Sequence, residues 1–188
     1  ATAVMRSQDY KKPISMMIHT DFHKQAHSLV EKSVQRYLKE LQQKYQEDPK
    51  HVVKKLHEEY KMGRDELSKE TFEKVMTDYS GTVKDYPKWE AVKDELTSLL
   101  SLPKGEFVQH IKMTDEGENV YGSGIHLCID NSSFNDLSGE HIRLIYPDGN
   151  QLKKCEKAPA FIVIGGNTLS RGLTIEGLVS TFFLRTTN

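Results

Sequence analysis

The residues best suited to chemistry lie together near the end of the sequence, in the run Phe161-Ile162-Val163-Ile164-Gly165-Gly166-Asn167-Thr168-Leu169-Ser170-Arg171-Gly172-Leu173-Thr174-Ile175-Glu176-Gly177-Leu178. An apolar stretch stops at a glycine pair and gives way to small hydrogen-bonding side chains around one arginine. Gly165 and Gly166 let a backbone turn sharply and come close to a ligand. Asn167, Thr168 and Ser170 set short polar side chains beside backbone amides, a combination suited to phosphate oxygens. Arg171 adds a fixed charge and a planar fork that matches phosphate or carboxylate. Glu176 is an acceptor for a ribose hydroxyl or a partner for Arg171. The pattern is neither GxGxxG nor GxxxxGK[ST], so spacing alone leaves a second reading open, a strand–turn–helix connection with a structural arginine.

Other constellations carry less. His19, His23 and His27 are spaced by four and would share a face if all were helical, as metal ligands do. His19 is better placed at the end of a strand, however, and no carboxylate pair completes a set. Pro147-Asp148 with Glu156 and Lys157 has the residue types of a restriction-type nuclease centre without its acid-x-lysine spacing, and Pro147-Asp148-Gly149-Asn150 has the composition of a hairpin turn. Tyr79, Tyr86 and Trp89 beside Lys84, Lys88 and Lys93 suit base stacking or, more ordinarily, a helical core.

The elements that must position the Phe161–Leu178 segment follow from periodicity. Phe161–Ile164 is apolar on both faces, the mark of a central strand in a parallel sheet. Pro13–Thr20 is a second such run, and Thr20 or Asp21 is placed to cap the helix after it. That helix is expected over 22–46, with Ala26, Leu29, Val30, Val34, Tyr37, Leu38 and Leu41 as its apolar stripe. Residues 48–103 have the pattern of a helical insertion, with helices at roughly 49–62, 68–79 and 87–101. Further strands are expected at Phe107–Met113, Ile125–Ile129, Ile142–Tyr146 and Val179–Leu184, with turns at 115–117, 131–133 and 147–150. Residues 1–12 are polar and unpatterned, as in a flexible lead-in. Strands and helices together, with buried apolar runs, give an α/β fold: a mainly parallel sheet flanked by helices.

Bulk properties narrow the classes. The 188 residues suffice for one domain with a core, 37% are apolar and 28% charged, as in a water-facing globular protein. The net charge of −1 provides no broad electropositive field, so any nucleic-acid contact must be local. The two cysteines, Cys128 and Cys155, form no CxxC pair, which argues against a cysteine zinc site and leaves a disulfide open. No apolar run is long enough to span a membrane and the start lacks a signal-peptide pattern, so the expectation is a cytoplasmic protein.

Two segments resemble known families. The strand, polar turn and Arg171-Gly172 pair resemble motif V of superfamily-two helicases. The fuller string GGNTLSRGLTIEGL, followed by an apolar strand and Arg185, is similar to the bacterial Z-one domain family, described as candidate endonucleases and found with restriction-type systems. Pro13–Thr20, with its His-Thr end and a helix containing His27, resembles that family's motif-IV-like region; roughly 48–105 carries no such motif. The resemblance implies a RecA-like, P-loop-NTPase-like second domain over 1–188, with a motif-IV-like segment at 13–20 and a motif-V-like segment at 161–178. It further implies a parent that is an ATP-dependent DNA helicase or translocase. Its cofactors would be ATP and magnesium, with none bound by this chain alone. Its partners would be duplex DNA, the first RecA-like domain of the parent and other restriction-system subunits, and no membrane.

By that resemblance Thr168 and Ser170 would touch phosphate, and Arg171 and Gly172 would shape the loop or couple it to ATP. His19 and Thr20 would end their strand near the nucleic-acid path. Thr174 stands where many relatives carry an aspartate near the nucleotide sugar, with Glu176 as the available substitute. No GK[ST] loop or DExx box occurs, and the sequence ends before an arginine-finger motif. The chain alone is therefore expected to hydrolyse no ATP. The alternatives are a metal-dependent DNA endonuclease domain and a non-catalytic DNA-binding or scaffold module.

Overall fold

A computed structural model describes residues 1–20, 24–130, 140–141, 143–166 and 174–184. The strands are β1 (Ile14–His19), β2 (Val108–Gln109), β3 (Ile111–Met113), β4 (Asn119–Val120), β5 (Ile125–Asp130), β6 (Glu140–His141), β7 (Ala160–Gly165) and β8 (Leu178–Phe183). The helices are α1 (Thr2–Arg6), α2 (Lys24–Glu47), α3 (Pro49–Glu66), α4 (Lys69–Val75), α5 (Trp89–Leu100) and α6 (Gly149–Lys154). Five strands form one sheet in the order β2-β5-β7-β1-β8, and every pairing in it is parallel. A small antiparallel sheet, β4-β3-β6, stands beside it. The fold is thus α/β with a parallel sheet flanked by helices, consistent with the RecA-like class.

β7 is central because its side chains are apolar on both faces. Phe161 and Val163 join Ile111, Cys128 and Leu144 in one core cluster. Ile164 points the other way, into a cluster with Ile18, Leu38, Val52, Leu99, Leu100, Phe107 and Leu127, and Ile162 packs against it. This period-two division is what a strand covered on both sides requires. Val52, Leu99 and Leu100 come from α3 and α5, so the 48–103 region shares the core of the sheet. Asp48 caps α3 by accepting from the His51 amide, with Pro49 at its first turn. Gln42 of α2 donates to the carbonyls of Leu100 and Leu102 at 3.2 and 2.7 Å, which ties α2 to the end of α5.

Several expectations are corrected. Residues 2–6 are a helix, not a loose lead-in: Arg6 is buried and donates to Ala158 O at 2.9 and 2.6 Å and to Ser123 O at 2.7 Å. In α2, Val30, Val34, Leu38 and Leu41 face the core, while Leu29 and Tyr37 are exposed. Those two precede Val30 and Leu38 by one residue, about 100° around the helix. The run 107–113 breaks at His110, whose ring NH at Nδ1 donates to Leu127 O at 2.9 Å; β2 joins the large sheet and β3 the small one. The strand expected at Ile142–Tyr146 is absent from 143–146: Leu144 is a core residue there, and Ile145 O accepts from the Tyr121 hydroxyl at 3.0 Å. Asp148 does not make a hairpin turn. It caps α6, accepting from the amides of Asn150 and Gln151 while Gln151 answers with a reciprocal bond.

Inside the sheet, His126 is fully buried between Tyr121 and Phe161. Its Nδ1 faces Ala160 O at 3.0 Å and its Nε2 accepts from the Gly122 amide at 3.2 Å. A carbonyl can only accept, so Nδ1 carries the proton and the ring is neutral. At the border of the sheet, β8 leaves Leu178, Val179, Phe182 and Phe183 all exposed.

Candidate functional site

In a parallel sheet all strands end on the same edge, and ligands collect there where neighbouring strands send their connections to opposite sides. Here that place lies between β1 and β7. From β1 the chain passes into α2, which lies over β7, β5 and β2; from β7 it returns past β1 to β8. The register aligns Asp130, Gly165, His19 and Phe183 in one row across this carboxyl edge. The Thr20 amide donates to Gly165 O and the Leu184 amide to His19 O, both at 2.8 Å, so the row is stitched by backbone bonds just past the strand ends.

The sequence-derived candidates divide into three groups. Gly165, Gly166, His19 and Thr20 come together at this edge, all four buried. His19 and Thr20 therefore form its floor, and their side chains are not an open contact surface. Asn167, Thr168, Ser170, Arg171 and Gly172 lie outside the described residues, as do Asp21, His23 and Arg185.

Thr174 and Glu176 are at the opposite end of the sheet. Gly177 O accepts from the Ser15 amide at 2.8 Å, and Leu178 pairs with Ser15 at the start of β1. From Ser15 to His19 is four residues of strand, about 13 Å. Ile175 packs on the cluster around Phe161 and Val163, while Thr174 and Glu176 are exposed. The backbone next to Glu176 is docked at the amino end of β1, away from the Gly165 edge. Gly177 enforces this docking: its φ is +60°, and a Cβ there would lie 1.9 Å from Pro13 O.

Several groups buried in the core have shifted titrations. Burial pushes His126 down to about 4, opposed by its bond to Ala160 O and assisted by the nearby Arg6 charge. Burial raises the Cys128 thiol, and raises Tyr121, with Cys128 and Cys155 adding to the latter. Tyr146 is raised by burial and drawn back by its bonds to Ser15 and the Glu176 backbone. Both cysteines are free thiols.

The described side chains at this edge do not by themselves form a nucleotide site. They offer glycine backbone and two buried polar groups, with no described cation to meet a triphosphate. Among the described residues no group of three His, Cys, Asp or Glu is arranged to hold a metal, and no helix is long and apolar enough to cross a membrane. Trp89 stacks on His57 with centroids 4.3 Å apart and neighbours Tyr60, and Tyr86 meets Tyr60 edge-on. Tyr60 and Tyr86 line a cavity of about 680 Å³ beside α1, α3 and α5. Tyr79 lies against Phe72 instead. Phe183, not among the sequence-derived candidates, stacks on His19 in the edge row; its signal was an aromatic pair closing an apolar strand.

No curated protein and no solved structure matches the sequence. A family model described as the Z1 domain matches residues 1–188, the whole of the sequence given, and the chain belongs to the Z1 domain family.

Proposed function

We propose that this Z1 domain is the second RecA-like domain of an ATP-driven DNA helicase or translocase serving a restriction-type or other defence system. The observation that supports this reading best is the shared end of β1 and β7. The His19-Thr20 and Gly165-Gly166 steps lie side by side at the carboxyl edge, joined by the Thr20 amide on Gly165 O at 2.8 Å. From that point the sequence runs into Asn167, Thr168, Ser170, Arg171 and Gly172, the residues suited to a phosphate backbone. In this reading Asn167, Thr168 and Ser170 donate to DNA phosphates and Arg171 neutralises them. The buried His19 and Thr20 hold the loop's base rigid. The first RecA-like domain of the parent, with ATP and magnesium, would complete the motor.

The test is ATP hydrolysis by the full-length parent, with and without duplex DNA, for wild type and Arg171→Ala. The expected result is DNA-stimulated hydrolysis that the substitution reduces to its unstimulated rate, while the 188-residue chain alone hydrolyses nothing. Hydrolysis by the parent that ignores DNA, or none at all, rejects the motor reading. Magnesium-dependent nicking of DNA by this chain alone would favour the endonuclease reading instead.

A further inference from the structure

The carboxyl edge carries one more group of defined chemistry, the phenyl ring of Phe183. Phe183 closes β8 and is 65% exposed, an unusual state for a phenylalanine fixed in a strand. Its ring lies over the buried His19 ring, with centroids 5.4 Å apart and planes 26° from parallel. His19 pairs in register with Gly165 on one side and with Phe183 on the other. The Leu184 amide, bonded to His19 O at 2.8 Å, pins the strand end just beyond the ring. Phe183 is therefore held by a planar neighbour and a backbone bond while most of it faces outward, one strand removed from the glycine turn.

We propose that Phe183 is a stacking platform for an unpaired nucleobase arriving at the carboxyl edge beside Gly165 and Gly166. The proposal rests on the reading of that edge as the nucleic-acid or nucleotide end of the domain. A ring already stacked on one side offers its outer side to a further planar π-system, and bases stack on aromatic side chains whatever their sequence. With a net charge of −1 the chain has little long-range attraction for a strand, so ring stacking takes a larger share of binding than in a basic protein. The base has two sources, a single strand or a free nucleotide. Phe182 is exposed as well but points to the other face of the sheet, as alternation along a strand requires. It is the internal control.

The experiment measures binding of the 188-residue chain to three probes: a single strand bearing etheno-adenine, an abasic strand of the same length, and etheno-ATP. Fluorescence quenching reports stacking and anisotropy reports binding. Phe183→Leu, which keeps the apolar bulk, is expected to weaken the base-bearing probe by about five- to a hundredfold and to remove the quench. It should leave the abasic strand unchanged, while Phe183→Trp retains both affinity and quench and Phe182→Leu changes nothing. Loss confined to the strand identifies a nucleic-acid base, and loss confined to etheno-ATP identifies the nucleotide base. Equal binding of base-bearing and abasic strands by wild type, or equal weakening of both by Phe183→Leu, overturns the platform and leaves the edge reading intact. Failure of wild type to bind any probe overturns both.

Discussion

At the scale of single residues, His126 and Glu176 show how differently two polar groups relate to the same sheet. His126 sits inside it, neutral, with its two nitrogens matched to one acceptor and one donor. Because burial lowers its folded-state pKa to about 4 from an ordinary 6.5, the unfolded chain binds more protons between those values. The sign follows: stability is complete above pH 6.5, falls as pH drops through the window, and levels off below 4. The full loss is about 3 kcal/mol, at roughly 1.36 kcal/mol for each pH unit the window spans. Thermal melts at successive pH values should show that decline, and His126→Gln should flatten it; a wild-type midpoint constant from about pH 7 to 4 would contradict the assignment. Neither residue's position was legible locally. A histidine in IHLCID alternates onto a buried face, but only the fold supplies the Ala160 and Gly122 partners. Glu176 lies eleven residues beyond Gly165 in sequence, and nothing in the string tells which end of the sheet it returns to.

At the scale of elements, apolar runs were the legible part. β1, β5, β7 and β8 are where such runs put them, and α2 spans Lys24–Glu47 against an expected 22–46. Elements that depend on one long-range bond were not legible. The bend at His110 needs Leu127 O, and α1 is folded down by an arginine reaching carbonyls at Ser123 and Ala158. Asp148 was ambiguous for a chemical reason, since its carboxylate serves a turn or a helix cap equally well. The return of the chain to β8 hangs on Gly177, which combines a left-handed backbone with contact against Pro13 O. Gly177→Ala should cost about 2 kcal/mol or more, read in denaturant melts, from the αL penalty plus displacement of β1. The exposed Gly117, also left-handed but with open space around it, should lose only the conformational part, about 1 kcal/mol. Equal costs at both sites would mean that Pro13 moves aside freely.

At the scale of the whole molecule, the sheet gives the chain two unlike borders. The β2 side is short and sits under α2, whereas β8 turns an apolar flank of Leu178, Val179, Phe182 and Phe183 to solvent. Ordinary proteins blunt such a border with charge, proline or a bulge; β8 has neither charge nor proline among its six residues, and its one irregularity is a register shift at Val179, at the start of the strand. The consequence is colloidal. Purified at high concentration, copies of this chain should adhere along that flank, so that light scattering rises with concentration and with added sulfate. Val179→Lys should suppress it without changing the melting temperature by more than a few degrees. Handling of the domain is then governed less by its fold than by one ribbon of six residues.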